Sequence, residues 1–161
     1  MVDVLTSEQR QLNMSRIRGR DTKPEMLIRR GLHARGLRYR LHVKTLPGRP
    51  DLVFPRFRTV VFVHGCFWHA HGCNLSKEPT TRKEFWTSKL EGNAIRDRIT
   101  LDALQALGWR ILIIWECALR GPSRIEYSNV LDRSTYFIRE DEKVTLEISG
   151  QKIKPTPKIT Q

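Results

Sequence analysis

Apolar positions along this chain switch between helical and strand spacing, and the switches divide it into elements. Thr6-Ser7-Glu8-Gln9 has capping-box spacing and opens a helix to about Ile17, with only Leu12, Met14 and Ile17 apolar. So polar a helix buries little; it reads as an arm that orders on a polyanion. Thr22-Lys23-Pro24-Glu25 is a further start, with Pro24 in the first turn and Glu25 closing the box. Leu27, Ile28 and Leu32 form its apolar stripe, and Gly36 stops it.

The period then becomes two. Leu37, Tyr39 and Leu41 alternate with Arg38, Arg40 and His42, the pattern of a half-exposed strand. Leu46–Pro50 is a turn, Asp51–Phe54 a short strand, Pro55–Phe57 another turn, and Arg58–His64 a buried, β-branched return strand. Thr81 and Glu84 have the spacing of a third capping box. The helix it opens runs to about Leu107, with Phe85, Trp86, Leu90, Ile95, Leu101 and Leu104 as its apolar set and Gly92 as a kink point. Gly108 ends it and Arg110–Glu116 is a further buried strand. A helix over Ser123–Ile138 and a strand over Lys143–Ser149 follow. This order predicts an α/β fold, a mixed sheet flanked by helices. Three segments are expected: a basic arm over 1–20, one domain over 21–150, and a disordered Pro/Lys tail over 151–161.

Composition narrows the function. The net charge is +12, and residues 1–50 carry 12 Lys/Arg against 4 Asp/Glu, which points to nucleic acid. The longest apolar runs, Val60–Val63 and Ile111–Trp115, are far short of the ~18–20 residues of a membrane span. The N-terminus lacks the apolar core of a signal peptide, so a cytoplasmic protein with no membrane partner is expected. An odd three cysteines in such a compartment argues against a disulfide framework.

The chemistry concentrates in His64-Gly65-Cys66-Phe67-Trp68-His69-Ala70-His71-Gly72-Cys73, with three of the five histidines and two of the three cysteines. Cys66, His71 and Cys73 supply three ligands, and Cys117 is the cysteine left to complete a tetrahedral structural zinc set. Buried free thiols and a surface histidine are the alternative. Asp51 begins a strand whose partner ends at His64, and a strand-edge aspartate suits Mg2+. Glu25 can face that edge. Phe62-Val63-His64 stands where a PD-(D/E)xK nuclease has Glu-x-Lys, and a turn cap is the commoner use of a lone Pro-Asp such as Asp51. His64 and His69 remain as proton acceptors or as hydrogen-bonding loop residues. Asp97 can orient an imidazole or pair with Arg96 or Arg98. The neighbours Phe67 and Trp68, joined by Trp86, suit a wedge between bases; core packing is the other use of Trp86.

Taken together, Pro47-Gly48-Arg49-Pro50-Asp51, Phe62 to His69, His71-Gly72-Cys73 and Trp115-Glu116-Cys117-Ala118-Leu119-Arg120-Gly121 resemble the very-short-patch-repair mismatch endonucleases. Asn13-Met14, Arg20-Asp21-Thr22, Glu25 and Thr81-Arg82…Glu84-Phe85-Trp86 fit as well, so the resemblance spans about residues 10–121. It implies a restriction-endonuclease-like fold and a monomeric, Mg2+-dependent enzyme that nicks 5′ of the thymine in a T:G mismatch, ahead of a repair polymerase. By position it implies Asp51 and the Val63 main-chain carbonyl as Mg2+ ligands, with His69, Asp97, Glu25 and His64 completing the catalytic site. Cys66, His71, Cys73 and Cys117 would hold Zn2+, and Phe67, Trp68 and Trp86 would intercalate. The arm, with Met14, Arg16, Ile17 and Arg18, would grip the DNA. Two other readings stand beside it: a restriction-type endonuclease, and a non-catalytic zinc-stabilised DNA-binding protein.

Overall fold

The computed structural model describes residues 6–17 and 19–152. Arg18, the first five residues of the expected arm and residues 153–161 of the expected tail lie outside that set. Helix α1 spans Ser7–Arg16, and its capping box forms: Gln9 N–H donates to Thr6 Oγ1 at 3.2 Å and Thr6 N–H to Gln9 Oε1 at 3.0 Å. None of its residues is buried. Helix α2 spans Lys23–Ala34 with Thr22 as N-cap. Its acidic partner departs from the box, because Glu25 accepts the N–H of Asp21 (2.8 Å) rather than that of Thr22. Leu27, expected in the apolar stripe, is exposed; Ile28 and Leu32 are buried.

Five strands follow in sheet order β1-β2-β3-β4-β5: β1 Arg40–Leu41, β2 Leu52–Phe54, β3 Thr59–His64, β4 Arg110–Trp115 and β5 Thr145–Ile148. The first two pairings are antiparallel and the last two parallel, so the sheet is mixed. The long helix α3, Lys83–Ala106, is the crossover that makes β3 and β4 parallel. A short α4, Glu116–Leu119, and α5, Tyr127–Arg139, lead to β5.

Strand alternation builds two cores. Val61, Leu112 and Ile114 face one side, with Ile28, Leu32, Phe137 and Ile138 from α2 and α5. Val60, Phe62, Ile111, Ile113 and Trp115 face the other, with Leu104 of α3, and there the buried Cys66 and Cys117 join them. Helices α2 and α5 cross closely at Gly31, where an added Cβ would lie 2.5 Å from Leu131 and from the Tyr127 hydroxyl. Among the described residues no helix is long and apolar enough to cross a membrane.

Three further expectations change. The strand over Leu37–Leu41 shrinks to two residues, because Leu37 is drawn into the core under α2 instead of pairing. The third capping box is absent: Arg82, at φ 54°, is the N-cap of α3 and no side chain caps it. Helix α3 passes through Gly92 unbroken and buries only Leu90 and Leu104; Phe85 and Ile95 are exposed.

Candidate active site and metal centre

The loop after β3 is wound, not extended. His69 N–H donates to Gly65 O (3.2 Å), His71 N–H to Cys66 O (3.0 Å) and Ala70 N–H to Phe67 O (3.3 Å), with Ala70 and Gly72 at positive φ. The winding points Cys66, His71 and Cys73 to one side, where Cys117 meets them at the start of α4. The four ligand atoms all lie within 4.8 Å of one another.

Each sulfur receives a backbone N–H: Cys117 N–H on Cys66 Sγ (3.3 Å), Leu75 N–H on Cys73 Sγ (3.4 Å) and Gly150 N–H on Cys117 Sγ (3.2 Å). Such donors favour thiolate, the form that binds metal. Burial raises the Cys66 and Cys117 thiols above their ordinary value. Burial would raise Cys73 too, but bonds from His71, Leu75 N–H and Ser76 outweigh it and bring this thiol down to about 6. Three sulfurs and one imidazole, each sulfur with an N–H behind it, fit a closed tetrahedral zinc shell. His71 is also stacked on Trp115, centroids 4.1 Å apart.

Asp51 stands just before β2, and its Oδ2 accepts the N–H of Val63 on β3 at 2.7 Å. In a strand, a residue's N–H and C=O point to the same side, so the Val63 carbonyl faces the same edge. Burial pushes the Asp51 carboxyl up to about 7. The Val63 N–H opposes this, the Glu25 charge adds to it, and His42 and His69 oppose it. Asp51 shares a cleft of about 510 Å3 with Arg20, His42, Lys44 and Arg49. Glu25, 1% exposed, comes up beneath it from the first turn of α2, with Arg29 Nη1 3.5 Å from its Oε1.

His64 and His69 stack face to face, centroids 3.7 Å apart and planes 4° apart. His69 Nδ1 is 2.6 Å from Asp97 Oδ2 of α3. An ionised carboxylate only accepts, so Nδ1 carries the proton and Nε2 is left as the basic nitrogen. His64 is buried, its Nδ1 has no hydrogen-bond partner among the described residues, and burial with the neighbouring His69 charge lowers its basicity to about 3. It is therefore neutral near pH 7. Proton-carrying roles are expected for both imidazoles from the residue pattern; only His69 has the partner for one.

Phe67, Trp68 and Trp86 form one half-buried aromatic group. Their centroids are 5.0 Å (Phe67–Trp68), 5.4 Å (Phe67–Trp86) and 6.0 Å (Trp68–Trp86) apart. Asn93 of α3 donates to the Trp68 carbonyl at 2.9 Å, which ties the loop down. Met14 of α1 and Ile17, its C-cap, are exposed at 42% and 50%, and Arg16 is exposed in the last turn. Three participants escape the residue pattern: Gly150, His42 and Glu116, whose carboxylate accepts Cys66 N–H at 3.2 Å. Gly150 works through its backbone, Glu116 reads as the end of a strand, and His42 falls in the polar phase of one.

The five-stranded mixed sheet with helices on both faces is of the restriction-endonuclease-like kind, and comparison with known proteins gives the family. The model for DNA mismatch endonuclease Vsr matches residues 2–75. The chain is 47% identical over 138 residues to the DNA mismatch endonuclease Vsr of Escherichia coli K12, covering 86% of this chain and 88% of that one. It is 46% identical over 136 residues to the type II nicking enzyme V.XorIIP of Xanthomonas oryzae pv. oryzae, covering 83% of this chain and all of that one. The type II nicking enzyme V.NmeAIP of Neisseria meningitidis is 39% identical over 121 residues, or 75% and 86%. This chain belongs to the Vsr family of DNA mismatch endonucleases.

Proposed function

We propose that this protein nicks one strand of DNA at a T:G mismatch, on the 5′ side of the thymine, in a Mg2+-dependent hydrolysis that opens short-patch repair of deaminated 5-methylcytosine. The observation that carries this reading is that a buried carboxylate, Asp51, bonded to Val63 N–H near the end of β3, lies close enough to an oriented base, the His69–Asp97 pair, to feel the charge of His69. Asp51 and the Val63 carbonyl would hold Mg2+, whose charge stabilises the phosphorane-like transition state. Hard oxygen donors at a cleft wall suit that ion, as thiolates would not.

The chain's own groups do the rest. His69 Nε2 takes the proton of the attacking water as its oxygen bonds to phosphorus and the P–O3′ bond breaks; Asp97 holds the ring and stabilises the imidazolium that results, and the departing 3′-oxygen takes a proton from solvent. His64 stays neutral and fixes the plane of His69 by stacking. Glu25 orders the acidic side of the cleft. Arg20, Lys44 and Arg49 line that cleft and bind backbone phosphates. Cys66, His71, Cys73 and Cys117 would hold Zn2+ as a brace, because four protein ligands leave no position for a reactive water.

Selectivity follows from the loop between the brace and the base. Phe67, Trp68 and Trp86 insert beside the mismatch, where unstacking costs a few kcal/mol per step. A mismatched pair is already poorly stacked, so the wedge enters there at lower cost than at T:A. The arm, residues 1–20, with Met14 and Arg16 exposed on α1 and Ile17 at its C-cap, grips the duplex; Arg18 belongs to the same stretch. One chain suffices for one nick, so the protein acts as a cytoplasmic monomer and hands a 3′ end to a repair polymerase.

The test is a duplex labelled on each strand, T:G beside its T:A control, with Mg2+. Nicking confined to the T strand of T:G, at least about 100-fold faster than in T:A, is expected; that ratio corresponds to ~2.7 kcal/mol of discrimination. Equal cutting of the control, or double-strand cleavage, would show a restriction-type enzyme. Binding without any cutting would show a DNA-binding protein only.

A further inference from the structure

His42 follows β1 at φ 48°, in the left-handed region that residues other than glycine seldom occupy. Its ring meets the start of α2. Nε2 lies 3.3 Å from Glu25 Oε1 and 3.6 Å from Asp21 Oδ1. The Asp21 oxygen lies beyond hydrogen-bond distance and the Glu25 oxygen, within it, is off the line of the ring N–H; among the described residues this buried nitrogen feels both carboxylates but makes no hydrogen bond. Burying a donor in that way is unfavourable, and such groups normally find a partner.

Glu25 is the complementary half. Its Oε2 is fixed by the Asp21 N–H at 2.8 Å, whereas among the described residues its Oε1 has the loose Arg29 contact at 3.5 Å and the misaligned His42. The same histidine lines the cleft that contains Asp51. Hydrogen bonds in catalytic sites are often long or poorly aligned without substrate and tighten when it binds. A small rotation of either side chain would complete this one.

We propose that His42 is a positioning residue: its Nε2–H closes onto Glu25 Oε1 when DNA fills the cleft, and fixes that carboxylate beside Asp51. The inference rests on the Asp51 cleft being the nicking site. Asp21, Glu25 and His42 also have ligand atoms within 4.8 Å of one another, the spacing of a cation seat. The Arg29 guanidinium already lies 2.5 Å from Asp21 and 3.5 Å from Glu25, so its charge opposes an ion there.

Two substitutions separate reach from backbone. Asparagine tolerates the left-handed conformation best, but is too short for Glu25; glutamine keeps an amide N–H within reach. His42→Asn should slow single-turnover nicking of a T:G duplex on the order of 10- to 100-fold. Its melting temperature and its duplex Kd in Ca2+, where binding is read without turnover, should match the wild type. His42→Gln should recover most of the rate, and adding His42→Asn to Glu25→Ala, which has no acceptor left, should cost nothing more. In the wild type the His42 Nε2–H resonance should move downfield when a cleavage-resistant T:G duplex is added in Ca2+. A full-rate His42→Asn, equal slowing of both variants, a defect confined to Kd, or an unmoved resonance would overturn the proposal. Asp51→Asn is the control: if it still nicks, the site reading fails, whereas a dead Asp51→Asn beside a full-rate His42→Asn refutes His42 alone.

Discussion

The two candidate centres differ in how far their polar groups are already satisfied. In the cysteine cluster every sulfur has a backbone N–H, drawn from three separate stretches of chain at Cys117, Leu75 and Gly150. At the Asp51 cleft the polar groups are only half satisfied. The carboxyl is pushed up to about 7, two imidazole nitrogens are buried without partners, and Glu25 is loosely held on one oxygen. Satisfied networks make a rigid frame, and unsatisfied ones carry a cost that a ligand can relieve. The loop carrying Phe67, Trp68 and His69 runs between Cys66 and His71 of the cysteine cluster and brings His69 near enough for its charge to act on Asp51. On the proposed function, rigidity and reactivity would be divided between these two centres, one soft and closed, the other hard and open.

The sharpest way to break this contrast is Asp51→Asn. Nicking should fall by about 1,000-fold or more, because the substitution removes the carboxylate proposed to hold Mg2+. Stability should move the other way. Burial raises the Asp51 carboxyl from 3.8 to about 7, so between those pH values the folded chain holds a proton that the unfolded chain has lost. Its contribution is fully present below about pH 4 and disappears as pH rises through 7. The amide has no such slope. In metal-free thermal melts at pH 5 and pH 8, the variant should gain on the wild type by about 1–3 kcal/mol at the higher pH. Parallel melting curves would mean that the carboxylate is not strained by burial.

Cys66→Ser should have the opposite signature. Losing one of four ligands should cost about 3 kcal/mol, or ~10 °C in melting temperature, with nicking falling as the loop loosens. Chelation of the wild type should reproduce both losses, and zinc analysis should show about one equivalent per chain before treatment. A metal-free preparation that melts and nicks normally would reduce the cluster to buried thiols.

Much of the frame is legible in side-chain pattern. The apolar phase of Val60–Val63 and Ile111–Trp115 specifies buried strands, and the caps at Thr6 and Thr22 form where the spacing puts them. Thr81 and Glu84 have the same spacing but no box, because Arg82 turns left-handed and breaks the local geometry that capping needs. The cysteine set is legible because its ligands are side chains of rare types. Gly150 is not, because it contributes an N–H that any residue except proline carries. His42 is hidden for a different reason: a period of two assigns it a solvent face, and only its positive φ turns it inward. The role of Glu25 depends on the same turn. What sequence conceals here is therefore backbone conformation and backbone donors, while the ligand types themselves are in plain view.

Gly150 offers the smallest and most selective perturbation. A Cβ there would lie 2.5 Å from the Cys117 carbonyl oxygen and 2.7 Å from that of Ser123, both backbone atoms that cannot swing away. Gly150→Ala should therefore push β5's exit off the cluster, lengthening the bond to Cys117 Sγ, with Gln151 N–H on Ser123 O (2.8 Å) disturbed as well. The expected cost is about 1–2 kcal/mol and a several-fold weaker hold on zinc, read by competition with a chromogenic chelator. The nicking rate with zinc saturating should stay within about threefold of wild type, because no group facing the phosphate moves. Should the rate instead fall as steeply as in Asp51→Asn with zinc affinity intact, the two centres would not be separable, and the division between frame and cleft would have to be abandoned.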